Sequence, residues 1–407
     1  MAILATNRLK GAYGVPGAGL FQGGETKEVS LAVASYLLDK PAFALEFTDL
    51  RELAHRGEDG RVRYIGFNGA VDSRVGYGGA GIIILRALTQ LGIQARVNRG
   101  WTPYAIDLHP DAAAQLTKRD FIPRLELSHC FPEAFRLSQA ALCVGYTMWE
   151  TTRIPQGDVD GFEDWAALSN EMDALLVPCQ FSKDVFEACG VTRPITVLPY
   201  GIDTDEWPLL ERPERETFTV VQFGDLSSRK GPFEAVEAFQ RAFPRELNAR
   251  LVLKTIGGKF GPGRYGIPQF RDPRIQVIDA AWTRRQLLQF LADADCFIWL
   301  SRGEGFGLPP LQAALTGLPV VMTTHTGMAE YYNPLYFYGV KTACTSPAPM
   351  GGEWFDPDVE SAAEQLRKVY DDRKAATKRA KSASTYIRKK FSLAAFADRL
   401  GNYLEQF

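Results

Sequence analysis

WLSRGEGFGLPPLQAALTGLPVV, residues 299–321, is the stretch whose reading decides the fold. An apolar run ending at Leu300 breaks into a polar, glycine-rich turn. The turn opens a helix-like segment that stops at Gly317, and a second apolar run begins at Leu318. Strand, turn, helix and strand in that order make a βαβ unit with both strands parallel in one sheet. Turns at the carboxyl ends of such strands are where open α/β sheets hold ligands. This turn carries Glu304 followed by Gly305, Phe306 and Gly307, so a carboxylate stands beside backbone N–H groups that lack an intrahelical partner. The carboxylate can accept from sugar hydroxyls while the N–H groups at the helix start, near Leu308, hold phosphate. Gln312 lies further along the helix.

The same alternation continues outward in both directions. Upstream it starts with FTVVQF (218–223) and runs through PFEAVEAFQRAF (232–243), RLVLKTI (250–256), RIQVID (274–279) and a helix opened by Thr283 to CFIWL (296–300). An earlier series comprises VRYIGF (62–67), AGIIILRALTQLG (80–92), IQARV (93–97), RLELS (124–128), ALCVGY (141–146), ALLVP (174–178), SKDVFEACG (182–190) and ITVLP (195–199). Between the two series lies GIDTDEWPLLERPERE (201–216), rich in proline and charge. Residues 1–60 differ in kind, with the Gly- and Pro-rich GAYGVPGAGLFQGGE (11–25) before a helix-like VSLAVASYLL (29–38). The expected organisation is a small module over 1–60, a first βα-alternating domain over 61–205, a second over 206–375, and helices over 376–407 that return to the first half.

A chain of 407 residues exceeds what one hydrophobic core usually serves. With 46% apolar and 23% charged residues it is an ordinary globular composition, which excludes a largely disordered chain. Lys plus Arg at 46 against Asp plus Glu at 48 gives a net charge of -2, so no global field draws it to nucleic acid or an anionic membrane. The basic run RKAATKRAKSASTYIRKKF (373–391) reads as a solvated helix face. The six cysteines have no C-x-x-C spacing, and neither a signal-peptide stretch nor a long apolar span is evident, so a soluble cytoplasmic protein with free thiols is expected.

In the first half, Gly76, Gly78 and Gly81 fit G-x-G-x-x-G between a strand and a helix, a pattern that makes an anion site from backbone amides, those of Gly78 and Gly79 in particular. A nicotinamide enzyme would place an acid about 20 residues on. Asn98 and Arg99 stand there instead, which weakens an NAD reading and leaves room only for an NADP phosphate. His129 follows the RLELS strand, and Glu150 follows ALCVGY; both face the cleft if the sheet is parallel. Asp158 and Asp160 form a D-x-D, but no apolar strand precedes them, so they read as a surface loop.

Residues 304–321 resemble the E-G-F-G-L-P-x-x-E-A-x-x-x-G-x-P-V-V pattern of family 4 retaining glycosyltransferases. Glu304, Gly305, Phe306, Gly307, Leu308, Pro309, Ala313, Gly317, Pro319, Val320 and Val321 match, whereas Gln312 stands where the family has its second acid. SSRKGPFEAVEAF (227–239), CQFSKDVFEACGV (179–191) and ITVLPYGID (195–203) resemble further stretches of the family, so the likeness spans about residues 62–400. The resemblance implies an α/β protein of the GT-B fold, two Rossmann-like domains facing a central cleft. It also implies roles: Glu304 on donor-sugar hydroxyls, Gln312 on the ribose, and Lys230 with Arg229 on the diphosphate. Arg229 stands in for a family arginine whose position is Asp225 here. The family often has a histidine near the donor sugar, which His129 matches.

These implications lead to a metal-independent retaining glycosyltransferase that uses a UDP- or GDP-sugar and needs no cofactor. The departures at Gln312 and Asp225 keep a catalytically silent nucleotide-sugar-binding subunit open, and a sugar-nucleotide epimerase shares the fold. Residues 1–60 faintly resemble small modules of phage proteins, so a phage-encoded enzyme with a glycan, protein or modified DNA base as acceptor is an expectation. Oligomeric state is not legible.

Overall fold

The computed structural model describes residues 3–37, 40, 42–47, 55–71, 76–97, 110–116, 121–138, 140–257, 259–261, 263–264 and 270–407. Asn98 and Arg99, and with them the NADP reading, lie outside the described residues.

Two six-stranded sheets organise the chain. Across the first, the strands run Ile195–Val197, Ala174–Val177, Leu142–Tyr146, Leu125–His129, Tyr64–Gly69 and Gln94–Val97, all parallel. The second runs Ile275–Asp279, Ala249–Thr255, Phe218–Phe223, Cys296–Trp299, Val320–Thr323 and Tyr338–Val340, again all parallel. Every residue of Leu125–His129, Phe218–Phe223, Cys296–Trp299 and Val320–Thr323 is buried. That is why these strands read as unbroken apolar runs: helices cover both faces. Along Phe218–Phe223 the side chains alternate between two cores. Phe218 and Val220 pack with Ala235, Phe239 and Leu366, while Val221 and Phe223 join Trp299, Leu311 and Leu315.

The glycine run beginning at Gly76 is not a loop. Helix Gly76–Gln90 already contains Gly76, Gly78, Gly79 and Gly81. Gly81 is there for packing, since a Cβ would lie 2.1 Å from the Ala70 carbonyl oxygen. Gly78 and Gly79 stay within the first turn, whose N–H groups have no intrahelical acceptor.

Residues 1–60 hold more structure than the sequence reading gave them. Thr26–Val29, Ile3–Asn7 and Phe43–Phe47 form an antiparallel sheet, Tyr13–Val15 and Gly19–Phe21 form a hairpin, and the helix is Leu31–Leu37. Ala5, Phe21, Val33, Leu37 and Phe43 make a small core that Ile122 of the first large sheet's half also enters. A segment with its own core is separable in principle. We therefore expect removal of residues 1–50 to leave nucleotide affinity, measured by calorimetry, within about twofold of the full chain, because among the described residues the small core of this module draws no side chain from the second sheet. Loss of affinity on truncation would make the module part of the donor site.

At the other end, helix Leu393–Leu404 lies along helix Gly76–Gln90, and Gly401 lets it approach Leu91. The Ile202 N–H donates to the Phe391 carbonyl at 2.8 Å, and Glu405 accepts from Arg56 at 2.8 Å and from the Val62 N–H at 3.0 Å. Cys130, Cys179 and Cys296 are buried thiols, but Cys344 is exposed. Among the described residues no helix is long and apolar enough to cross a membrane.

Candidate active site

The strand Phe218–Phe223 delivers its chain to Asp225, whose carboxylate accepts from the Ser227 N–H at 3.0 Å. Asp225 is thus committed to the turn, which is a physical reason for an acid where the family resemblance expects arginine. A single 3-10 turn, Ser228–Lys230, follows and ends at Gly231 with φ 61. A Cβ on Gly231 would come within 2.1 Å of the Leu300 carbonyl oxygen, so only glycine passes here. This close approach seats Arg229 and Lys230 against the Glu304 turn. The Arg302 N–H and the Ser301 hydroxyl donate to the Arg229 carbonyl at 2.7 and 3.2 Å, and Gln222 donates to the Lys230 carbonyl at 2.9 Å.

Glu304 is buried and fully engaged. The Lys230 ammonium lies 2.6 and 2.7 Å from its two oxygens, the Trp299 indole donates to Oε1 at 3.0 Å, and Arg229 is 3.5 Å from Oε2. Arg229 also reaches Glu150 of the first half at 3.3 Å. Burial would raise the Glu304 carboxyl, but Lys230 and Arg229 outweigh it and hold it below the usual carboxylate range. Burial and the neighbouring Arg229 push Lys230 below the ordinary ammonium value. Burial opposes the charge on Arg229 too, yet Glu150 and Glu304 prevail and keep it firmly protonated. Two cations and two carboxylates thus sit between the halves, with Arg229 the most exposed of the four side chains at 22%.

Glycines let the halves meet at this turn. A Cβ on Gly303 would lie 2.0 Å from the Glu150 carbonyl oxygen, and one on Gly305 would collide with Met148. Gly307, with φ 86, caps helix Leu308–Leu315. The next positions after Leu308 are Pro309 and Pro310, so the first turn keeps only part of the N–H set that the sequence reading counted on. Phe306 is buried against Tyr200 and Tyr331 rather than presented to a ligand. Gln312 is half-buried on the helix.

His129 departs from its expected place in the cleft. Its ring is fully buried among Tyr77, Tyr146 and Tyr200, with Nε2 2.9 Å from the Tyr200 hydroxyl and Nδ1 unpartnered. Burial lowers its pKa to about 3, so the ring is neutral and closed off from solvent in this arrangement. The Tyr77 hydroxyl in turn lies 3.1 Å from Thr147 and accepts from the Met148 N–H at 3.3 Å, so His129 sits one layer behind the loop that meets Gly305. Asp158 pairs with Arg153 at 2.7 Å in an exposed loop, as a surface reading requires.

Sequence reasoning missed Trp299, Thr326 and His325. Thr326 accepts from the Glu304 N–H at 3.0 Å while holding φ 54, rare for a residue with a side chain. His325, beside it, leaves both ring nitrogens buried without partners, and burial lowers its pKa to about 4 although Glu304 acts the other way. The available signal was the polar TTHTG run after the strand Val320–Thr323, another carboxyl-end turn of the same sheet.

Among the described residues no group of three or more His, Cys, Asp or Glu has the geometry to hold a metal ion. Residues 180–400, just over half of the chain, match the family described as "Family 4 Glycosyltransferase in conflict systems". Glycogen synthase of Mycobacterium tuberculosis is 27% identical over 310 residues, which cover 73% of this chain and 68% of that one. Among solved structures, the sucrose-phosphate synthase of Thermosynechococcus elongatus has a TM-score of 0.62 at 13% identity, covering 84% of this chain and 98% of that chain. Anabaena Alr3699/HepE in complex with UDP-glucose has a TM-score of 0.59 at 14% identity, covering 84% and 100%. Both likenesses concern the fold, which is GT-B. With a carboxylate and two cations at the carboxyl ends of one sheet, facing a second sheet of the same kind, the chain belongs to the family 4 glycosyltransferases and is an enzyme that uses a nucleotide-sugar.

Proposed function

We propose that the enzyme transfers a sugar from a UDP-sugar to an acceptor hydroxyl with retention of anomeric configuration and without a metal ion. The observation that carries this reading is the Arg229–Lys230 pair held on Glu304 and Glu150. A departing nucleoside diphosphate gains negative charge as the glycosidic bond breaks, and preorganised cations stabilise that change more than they stabilise the ground state. A diphosphate reaching the cluster competes with the two carboxylates for the two cations. Arg229, the more exposed, meets it first, and Lys230 turns from Glu304 to follow. Glu304 is then released to accept from donor-sugar hydroxyls, while Gln312 reaches the ribose from the helix. The amides of Gly78 and Gly79, at the helix start facing from the other half, add positive potential. Retention follows if the leaving phosphate itself takes the acceptor proton on the same face of the sugar. UDP as the nucleotide is supported by the UDP-glucose bound in the Anabaena protein.

The test is hydrolysis of UDP-glucose and UDP-N-acetylglucosamine in excess EDTA, with the first-formed anomer read by proton NMR. We expect undiminished release of UDP and the α-anomer as initial product. Turnover abolished by EDTA and restored by manganese or magnesium would remove the metal-free mechanism, and an initial β-anomer would remove retention.

A further inference from the structure

We propose that the exposed face of helix Arg373–Phe391, continued into the shallow depression at its end, binds a single-stranded nucleic acid. The helix carries eight basic residues and no acidic one, so the rest of the chain sets 38 cations against 48 anions and the positive charge is concentrated here. The structure divides those eight by task. The arginines turn inward to backbone carbonyls: Arg373 to Arg215 at 2.9 Å, Arg379 to Pro334 at 2.5 Å, and Arg388 to Thr204 at 2.9 Å. The lysines, Lys374, Lys378, Lys381, Lys389 and Lys390, are all exposed, and among the described residues none forms an ion pair with a carboxylate.

Lys374, Lys378, Lys381 and Lys389 fall within about a quarter of the helix circumference at 3.6 residues per turn, a stripe about 22 Å long. At its far end Lys389 also lines an open, shallow depression with Tyr386, Lys390 and Arg399. Tyr386 stacks on Tyr336 at 4.9 Å, meets Phe391 edge-on at 6.1 Å, and has the Lys390 ammonium 3.4 Å from its hydroxyl and 5.8 Å from its ring centre, a cation that a stacking base would displace toward phosphate. Arg399 is held by the carbonyls of Lys390 at 2.9 Å and Pro199 at 3.3 Å, and its Nε is buried without a partner. Glu330 and Asp398 are the carboxylates close enough to act on Arg399. A row of cations without carboxylate partners among the described residues, leading to a shallow depression with a fixed aromatic ring, suits a phosphodiester strand whose unpaired base can lie against that ring. A duplex offers no free base, and the helix exposes no large apolar side chain to enter a bilayer.

The experiment is fluorescence anisotropy of the full chain with a labelled oligothymidylate. Expected is binding that weakens with salt, log Kd rising by about 2 to 3 per decade of salt for three or four phosphates contacted. The K374E/K378E/K381E variant should bind more than about tenfold more weakly while releasing UDP from UDP-glucose at the parent rate, since none of these residues belongs to the donor site. Tyr386→Ala should lose about tenfold with charge unchanged. No binding by the parent, equal binding by the lysine variant, indifference to Tyr386→Ala, or capture by phosphatidylserine vesicles with no oligonucleotide binding would each overturn the proposal. Because UDP release is read separately, failure here leaves the glycosyltransferase reading intact.

Discussion

Replacing Lys230 with Met will lower the stability of the fold at pH 7 by about 3 to 5 kcal/mol, the loss expected when one partner of a buried ion pair is removed and the other charge is left behind. The abandoned group is Glu304, whose side chain is 8% exposed. Arg229 remains 3.5 Å away but is shared with Glu150, so the lower end of the range is expected. Acid should reverse part of the loss. In the parent the folded-state pKa of Glu304 is depressed, so its contribution is present above the unfolded carboxyl value and fades as pH falls through the folded one. Without Lys230, burial dominates and raises that pKa, so the sign inverts and the variant gains stability relative to the parent as pH falls. Urea unfolding of both proteins at neutral and mildly acidic pH measures the difference. The double variant Lys230→Met, Glu304→Gln should recover much of it, because no buried charge is stranded. A single variant as stable as the parent at pH 7 would mean that the pair is not a buried ion pair.

Glu304→Gln should chiefly reduce turnover. The loss of a charged acceptor near the reacting centre costs on the order of 2 to 4 kcal/mol, roughly 30- to 1000-fold in kcat. Lys230 loses its carboxylate in the same step, so it should bind free UDP no more weakly than in the parent, which separates this effect from simple loss of the site. Gln312→Glu provides the contrast. Gln312 is half-buried on helix Leu308–Leu315 and is expected to meet the ribose, so an acid there should tighten nucleotide binding by about 1 kcal/mol or less, charge assistance being offset by partial desolvation. UDP release kinetics and calorimetry distinguish the two. Turnover indifferent to Glu304→Gln, or affinity falling sharply in Gln312→Glu, would mean that the two roles are misassigned.

The βα alternation of both large sheets was legible in the sequence, the edge strand Tyr338–Val340 excepted, because the central strands are buried on both faces and so appear as apolar runs bounded by turn residues. The Glu304 turn was legible for the same reason: Gly305, Gly307 and the flanking apolar runs follow from local backbone needs. The strands within residues 1–60 were not read because strands of three to five residues in antiparallel pairing, such as Thr26–Val29 and Tyr13–Val15, are too short to show alternation among glycines.

What the amino-acid sequence determined by itself is the pair of parallel sheets, the loops at their carboxyl ends, and the presence there of Glu304, Arg229, Lys230 and Glu150. What only the tertiary structure decided is who faces whom. The ion pairs join residues 74 to 79 positions apart, across two loops or two halves, and no periodicity encodes such separations. His129 occupies the strand-end position that suggested a ligand contact, yet Tyr77, from a helix more than fifty residues earlier, covers it. Trp299 and Thr326 hold Glu304 in place through contacts that exist only once strand Cys296–Trp299 and the turn after Val320–Thr323 lie side by side. Local chemistry can be read along the chain, but burial and partner choice are set by long-range packing, and those two decide the charge state and reach of every group in the site.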